Sequence, residues 1–82
     1  MIPIKKEVYE EIVRKLREEI EYYEVIVKKF EKKYGCSLED LERRIDEEGV
    51  PADNHEIWED SMEWRNAVEE LEKLRKLLDS LR

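Results

Sequence analysis

The sequence predicts an all-α chain. Its expected architecture is a long antiparallel helical hairpin, with helices at about residues 4–34 and 54–80 and a short connecting helix at about 38–48. The hairpin is coiled-coil-like and is expected to assemble as a dimeric helical bundle. Three observations lead there. Tyr9, Val13, Leu16, Ile20, Tyr23, Val27, Phe30 and Tyr34 follow one another at alternating spacings of four and three. That rhythm draws a single apolar seam down a helix and calls for a partner helix along it. Ile57, Trp64, Leu71 and Leu78 recur every seven residues, with Ala67, Leu74 and Leu81 between or beyond them, which makes a second seam. Finally, charged residues make up 48% of the 82, while Gly and Pro number two each, a composition of long helices.

The first helix is expected to start at Pro3 or Ile4, because a first-turn proline lacks only an N–H that would have gone unpaired. Lys32 and Lys33 suit its C-terminal dipole, and Gly35 suits a left-handed cap. Ser37 is the expected cap of the second helix, with Asp40 as a shortened capping-box partner. Leu38, Leu41 and Ile45 give that helix one narrow apolar stripe. Gly49 ends it, and Pro51 bars its continuation. Asp53 is the expected cap of the third helix, with Glu56 completing a capping box. No strand pattern, repeat or linker divides residues 1–82, so they read as a single helical domain.

Length then constrains shape. At about 1.5 Å per residue, the first helix is roughly 45 Å long. A compact chain of this size has a radius of gyration of only about 12 Å. A hairpin so extended buries little apolar area, near the lower size limit for a self-sufficient core. Val8, Ile12, Tyr22, Val25, Ile26, Trp58 and Met62 also fall outside the seams. The expectation is therefore a second chain. Ile12, Val13, Leu16, Ile20, Tyr23, Ile26, Val27 and Phe30 are the residues expected at a homodimer interface.

The formal charge of -7 is unevenly placed. Residues 1–34 carry nine Lys/Arg against eight Asp/Glu, and residues 35–82 carry seven against fifteen. Such a surface repels phosphate backbones, which argues against nucleic-acid binding by this chain alone, and it attracts basic proteins. Cys36 stands alone, so no internal disulfide forms, in keeping with a reducing cytoplasm. No apolar run is long enough to span a membrane, and the first residues lack the apolar core of a signal peptide. The Lys/Glu richness also resembles that of heat-adapted proteins.

No residue set specifies a reaction, and no cofactor or metal is expected. His55, Glu56, Glu59, Asp60 and Glu63 gather near the start of the third helix. A divalent cation takes such oxygens, but acids also belong there because the helix dipole favours them. Glu21/Glu24 and Glu56/Glu59 are paired three apart, as in helical nucleotide pyrophosphohydrolases, yet the second pair ending in Asp is missing. That leaves a metal-dependent hydrolase using Glu56, Glu59, Asp60 and Glu63 as the alternative, beside a purely structural coiled coil. One histidine excludes a di-iron carboxylate site and a structural zinc. Cys36 reads as space-filling at a helix cap. Lys28, Lys29, Lys32 and Lys33 read as a solvated face. Trp58 and Met62, flanked by Glu59, Asp60 and Glu63, are the expected partner-binding residues, the other reading being core packing beneath Leu41 and Ile45.

Phe30-Glu-Lys-Lys-Tyr-Gly-Cys-Ser-Leu-Glu-Asp-Leu-Glu-Arg-Arg, followed after a short loop by Trp58-Glu-Asp-Ser-Met-Glu-Trp-Arg-Asn-Ala-Val-Glu-Glu-Leu, resembles small helical antitoxin-like proteins of archaea and bacteria. The likeness covers about residues 30–75, and Cys36 stands where such proteins often have Met. The resemblance implies a non-enzymatic protein that binds and silences a toxin, often a ribonuclease or nucleotidyltransferase. An acidic middle segment suits the basic cleft of a nuclease, with apolar flanks for affinity.

Overall fold

The described residues form three helices: α1 (Lys6–Tyr34), α2 (Leu38–Glu48) and α3 (Glu56–Ser80). This computed structural model describes residues 5–50 and 55–81. The expected starts at Pro3 or Ile4 and at Asn54, the stop at Pro51 and the cap at Asp53 lie outside the described residues.

The turn between α1 and α2 forms as its residues dictate. Gly35 adopts φ 62°, ψ 25°, and its N–H donates to the Glu31 carbonyl. This left-handed cap closes the last turn of α1. Ser37 then caps α2, its Oγ accepting from the Asp40 N–H at 3.1 Å. The reciprocal half of a capping box is not made. The Asp40 carboxylate instead accepts from Arg43 at 2.8 Å, because an aspartate is one methylene short of the reach that glutamate supplies.

A correction applies at α3. Its first residue is Glu56, with His55 at the cap position and no side-chain cap bond. Glu56 is thus the first helical position, two short of the third position that a capping box needs, and its carboxylate turns to Lys33 on α1, 2.6 Å away.

The α1 seam packs along α3 of the same chain in two clusters. At the α2 end, Phe30, Leu38, Leu41 and Trp64 are buried together, with Ile26, Val27, Tyr34, Cys36, Ile45, Ile57 and Val68 around them. Leu41 is fully buried and Trp64 is 2% exposed. The Trp64 ring stacks at 5.9 Å from Phe30 and 6.4 Å from Tyr34. At the other end Leu16, Leu74 and Leu78 are buried, flanked by Val13, Ile20, Tyr23 and Leu81. Tyr9 closes that end by donating its hydroxyl to the Leu81 carbonyl. The result is a rod of 55 × 21 × 19 Å with a radius of gyration of 17.1 Å, well above the compact value of about 12 Å for this length. No described helix is long and apolar enough to cross a membrane.

Candidate partner-binding surface

Trp58 and Met62 lie one turn apart on α3, on the flank that faces α2. The packing of Leu41 and Ile45 does not hide them. Trp58 remains 46% exposed and Met62 56%. Both line an open groove of about 380 Å³ together with Ser61 and, from α2, Glu42, Ile45 and Asp46. α2 forms this groove because Leu38 and Leu41 anchor its apolar stripe in the Phe30–Trp64 cluster. That anchoring leaves Ile45 at the edge and turns Glu42 and Asp46 toward α3. The Ser61 hydroxyl, though buried, is satisfied by the Trp58 carbonyl at 2.7 Å.

An ion pair braces the groove. Arg65 donates from both Nε and Nη2 to the two carboxylate oxygens of Glu42, with Nε at 3.0 Å. This two-pronged geometry is the strong form of such a pair. The hydrogen bond from Arg65 lowers the Glu42 pKa below the usual carboxylate range. Asp46 has no such partner among the described residues.

The acids expected around Trp58 do not act together. Asp60 is drawn the other way, toward α1. Its Oδ2 accepts from Lys33 Nζ at 2.6 Å and from the Tyr34 hydroxyl. Burial alone would raise the Asp60 pKa, but the bonds from Lys33 and Tyr34 outweigh it and hold the group below its ordinary value. Burial, and then the Asp60 bond, push the Tyr34 phenol up to about 12. Asp60 and Glu56 together raise Lys33. Lys33 is therefore an inter-helix bridge and not simply part of a solvated face, and Asp60 is bonded inward to α1. Glu59 and Glu63 are exposed. Among the described residues, no three His, Cys, Asp or Glu side chains converge as a metal would require.

Residues expected at a homodimer interface divide in two. Val13, Leu16, Ile20, Tyr23, Val27 and Phe30 meet α3 of their own chain. Ile26, expected to be surplus, is partly buried against the Phe30–Trp64 cluster. What α1 leaves open is Val8, Ile12, Tyr22 and Val25, the last two more than 60% exposed, and α3 adds Leu77. A second groove, of about 360 Å³, runs between α1 and α3 over Val27, Val68 and Leu71. Arg75 on α3 spans to Glu24 on α1 at 3.0 Å beside it.

Sequence reasoning missed Glu42 and Asp46. Nothing in the spacing of α2 marks them, because their role depends on how α2 rolls onto α3. The Arg65–Glu42 and Lys33–Asp60 pairs span 23 and 27 residues, beyond the reach of any helical periodicity.

Over residues 2–82 the chain matches the family described as the Uncharacterized protein MJ0235 family. It belongs to that family. The match takes in all of α1, α2 and α3. No curated protein and no solved structure matches the chain.

Proposed function

We propose that this chain is a non-enzymatic helical interaction module that homodimerises and neutralises a basic partner, such as a toxin nuclease, in the cytoplasm. The observation that carries the reading is the apolar surface left over once the hairpin has formed. Val8, Ile12, Tyr22 and Val25 remain exposed on α1, with Trp58, Met62 and Leu77 on α3. Single exposed apolar residues are ordinary on a protein surface. Seven large side chains left exposed among the described residues of one slender rod support burial of some of them against other chains.

The acidic surface supports the choice of a basic partner, and the likeness of residues 30–75 to antitoxin-like proteins supports the choice of a toxin. A metal-dependent nucleotide hydrolase draws no support from the acids it would need. Glu56 and Asp60 face Lys33 across the hairpin, so they neither converge with Glu59 and Glu63 nor stand free.

Light scattering at micromolar concentration tests the dimer. Twice the chain mass is expected for the wild type, and a lower mass for a variant carrying Ile12→Lys and Tyr22→Lys. A wild-type monomer overturns self-association. Co-expression with the product of the adjacent gene tests neutralisation, and growth arrest that the chain does not relieve counts against it. A dimer that engages no partner leaves the purely structural coiled coil.

A further inference from the structure

The geometry points to the α2–α3 groove as a receptor for an arginine side chain of a basic protein partner, with Trp58 as the stacking platform and Asp46 as the counter-ion. The inference rests on the reading of a basic partner and says where and how that partner is held.

Three features converge. The groove presents a half-exposed indole, and arginine stacks on such faces more readily than lysine does because its guanidinium is flat and weakly hydrated. Met62, 56% exposed beside it, and Ile45 supply an adaptable apolar wall for the aliphatic stem of the incoming residue. Glu42 and Asp46 supply the acids of the same groove. Glu42 is already engaged by Arg65 in a two-pronged pair. That pair shows the preferred chemistry of this face and leaves Asp46 as the carboxylate for a guest.

Charge settles the kind of occupant. From Glu39 to Glu63 the chain carries eleven acids against Arg43 and Arg44. Lys33 and Arg65 from outside that stretch pair with Glu56, Asp60 and Glu42, and the excess stays negative, so approach of a basic segment is favoured at long range and approach of a like surface is opposed. The groove's volume of about 380 Å³ suits one long side chain and its immediate neighbours. It is an anchor point for a partner, not the whole footprint.

The test uses the full chain and an amphipathic peptide with arginines on one helical face and leucines on the other. Indole fluorescence reports on the groove, since Trp64 is buried and Trp58 is not. Saturable binding is expected, with a change in emission that Trp58→Phe removes. Trp58→Leu and Asp46→Asn should each weaken binding about ten-fold, and replacing the peptide's arginines by lysine should weaken it as well. Asp79→Asn, which removes the same charge far from the groove, should leave it unchanged. Equal losses for Asp46→Asn and Asp79→Asn, indifference to arginine versus lysine, or no saturable binding below millimolar peptide would each overturn the inference. So would a wild-type dimer that Trp58→Leu converts to monomer, because the groove would then hold a second copy. A dimer broken only by the α1 substitutions, with no peptide bound, would sink this inference and leave self-association standing.

Discussion

The Tyr34 hydroxyl donates to Asp60 Oδ2, the same oxygen that Lys33 Nζ reaches at 2.6 Å. Two neighbouring residues of α1 thus converge on one carboxylate of α3, at the end of the hairpin where α2 also packs. The Asp60 side chain is only 15% exposed, so the bonds it accepts are poorly replaced by water. Asp60→Asn should cost about 1–3 kcal/mol at neutral pH, the range for losing a charged acceptor from a mostly buried site. The sign of the pH dependence follows from the depressed pKa of Asp60. Its stabilisation is complete above the ordinary carboxylate value and is lost as pH falls through the lower folded value. Urea midpoints of wild type and variant should therefore differ at pH 7 and draw together only in acid below the ordinary carboxylate range, as Asp60 takes up its proton. A gap that stays constant into acid would contradict the assignment.

Tyr34 gives the opposite sign. Its phenol is raised to about 12, so the fold favours the neutral form. That contribution is present below the ordinary phenol value and is lost as pH rises through the folded one. In an ultraviolet alkaline titration, Tyr34→Phe should remove an ionisation step near pH 12. In Asp60→Asn the same step should move toward lower pH, because the carboxylate both accepts the phenol's bond and repels the phenolate. A titration unaltered by either substitution would show that the contact does not persist in solution.

The two glycines predict unequal tolerance. An added Cβ meets nothing within 4 Å at either one, so the cost is set by backbone conformation alone. Gly35, at φ 62° and ψ 25°, sits in the left-handed region that asparagine also visits. Gly49, at φ 77° and ψ 177°, sits in a region essentially restricted to glycine. Gly35→Asn should lower stability by under about 1 kcal/mol, and Gly49→Asn by about 1–3 kcal/mol. Thermal melts of the two variants, compared at one pH, decide the matter, and equal losses would refute the distinction.

These glycines also show what the sequence discloses and what it withholds. Both were legible as helix stops because each interrupts an apolar rhythm with a residue free of Cβ. The boundaries of α2 follow from Ser37 and Gly49, and the α1 seam follows from its spacing. All of these are local signals. The destination of the seam was not legible. A heptad shows that Leu16 and Phe30 will be covered, but Leu74 of the same chain and Leu74 of another look alike in a sequence. The groove was half legible. Trp58 and Met62 stand out as large residues off the seam, whereas Glu42 and Asp46 are two acids among many until the roll of α2 selects them. Asp60 illustrates the converse. Its neighbours Glu59 and Glu63 suggest an acidic patch, and only the approach of α1 reveals that it is bonded inward.

The two ends of the rod should differ in stability. At one end α2 covers the hairpin, and Trp64, Phe30 and Leu41 are almost entirely removed from water. At the other end Leu16, Leu74 and Leu78 are buried by two helices only, with the Tyr9–Leu81 bond as the closing contact. Local opening follows such differences in buried apolar contact. Removing one hydrogen bond typically costs about 0.5–1.5 kcal/mol, so Tyr9→Phe should loosen only its own end. Truncating a buried tryptophan costs about 3–5 kcal/mol, enough to threaten a domain this small. In native-state hydrogen exchange, Tyr9→Phe should speed amides near residues 8–13 and 78–81 while those around Phe30 and Trp64 keep their protection. Trp64→Ala should speed exchange throughout. If Tyr9→Phe accelerates all of α1 uniformly, the hairpin opens as one cooperative unit and the division into two clusters has no energetic meaning.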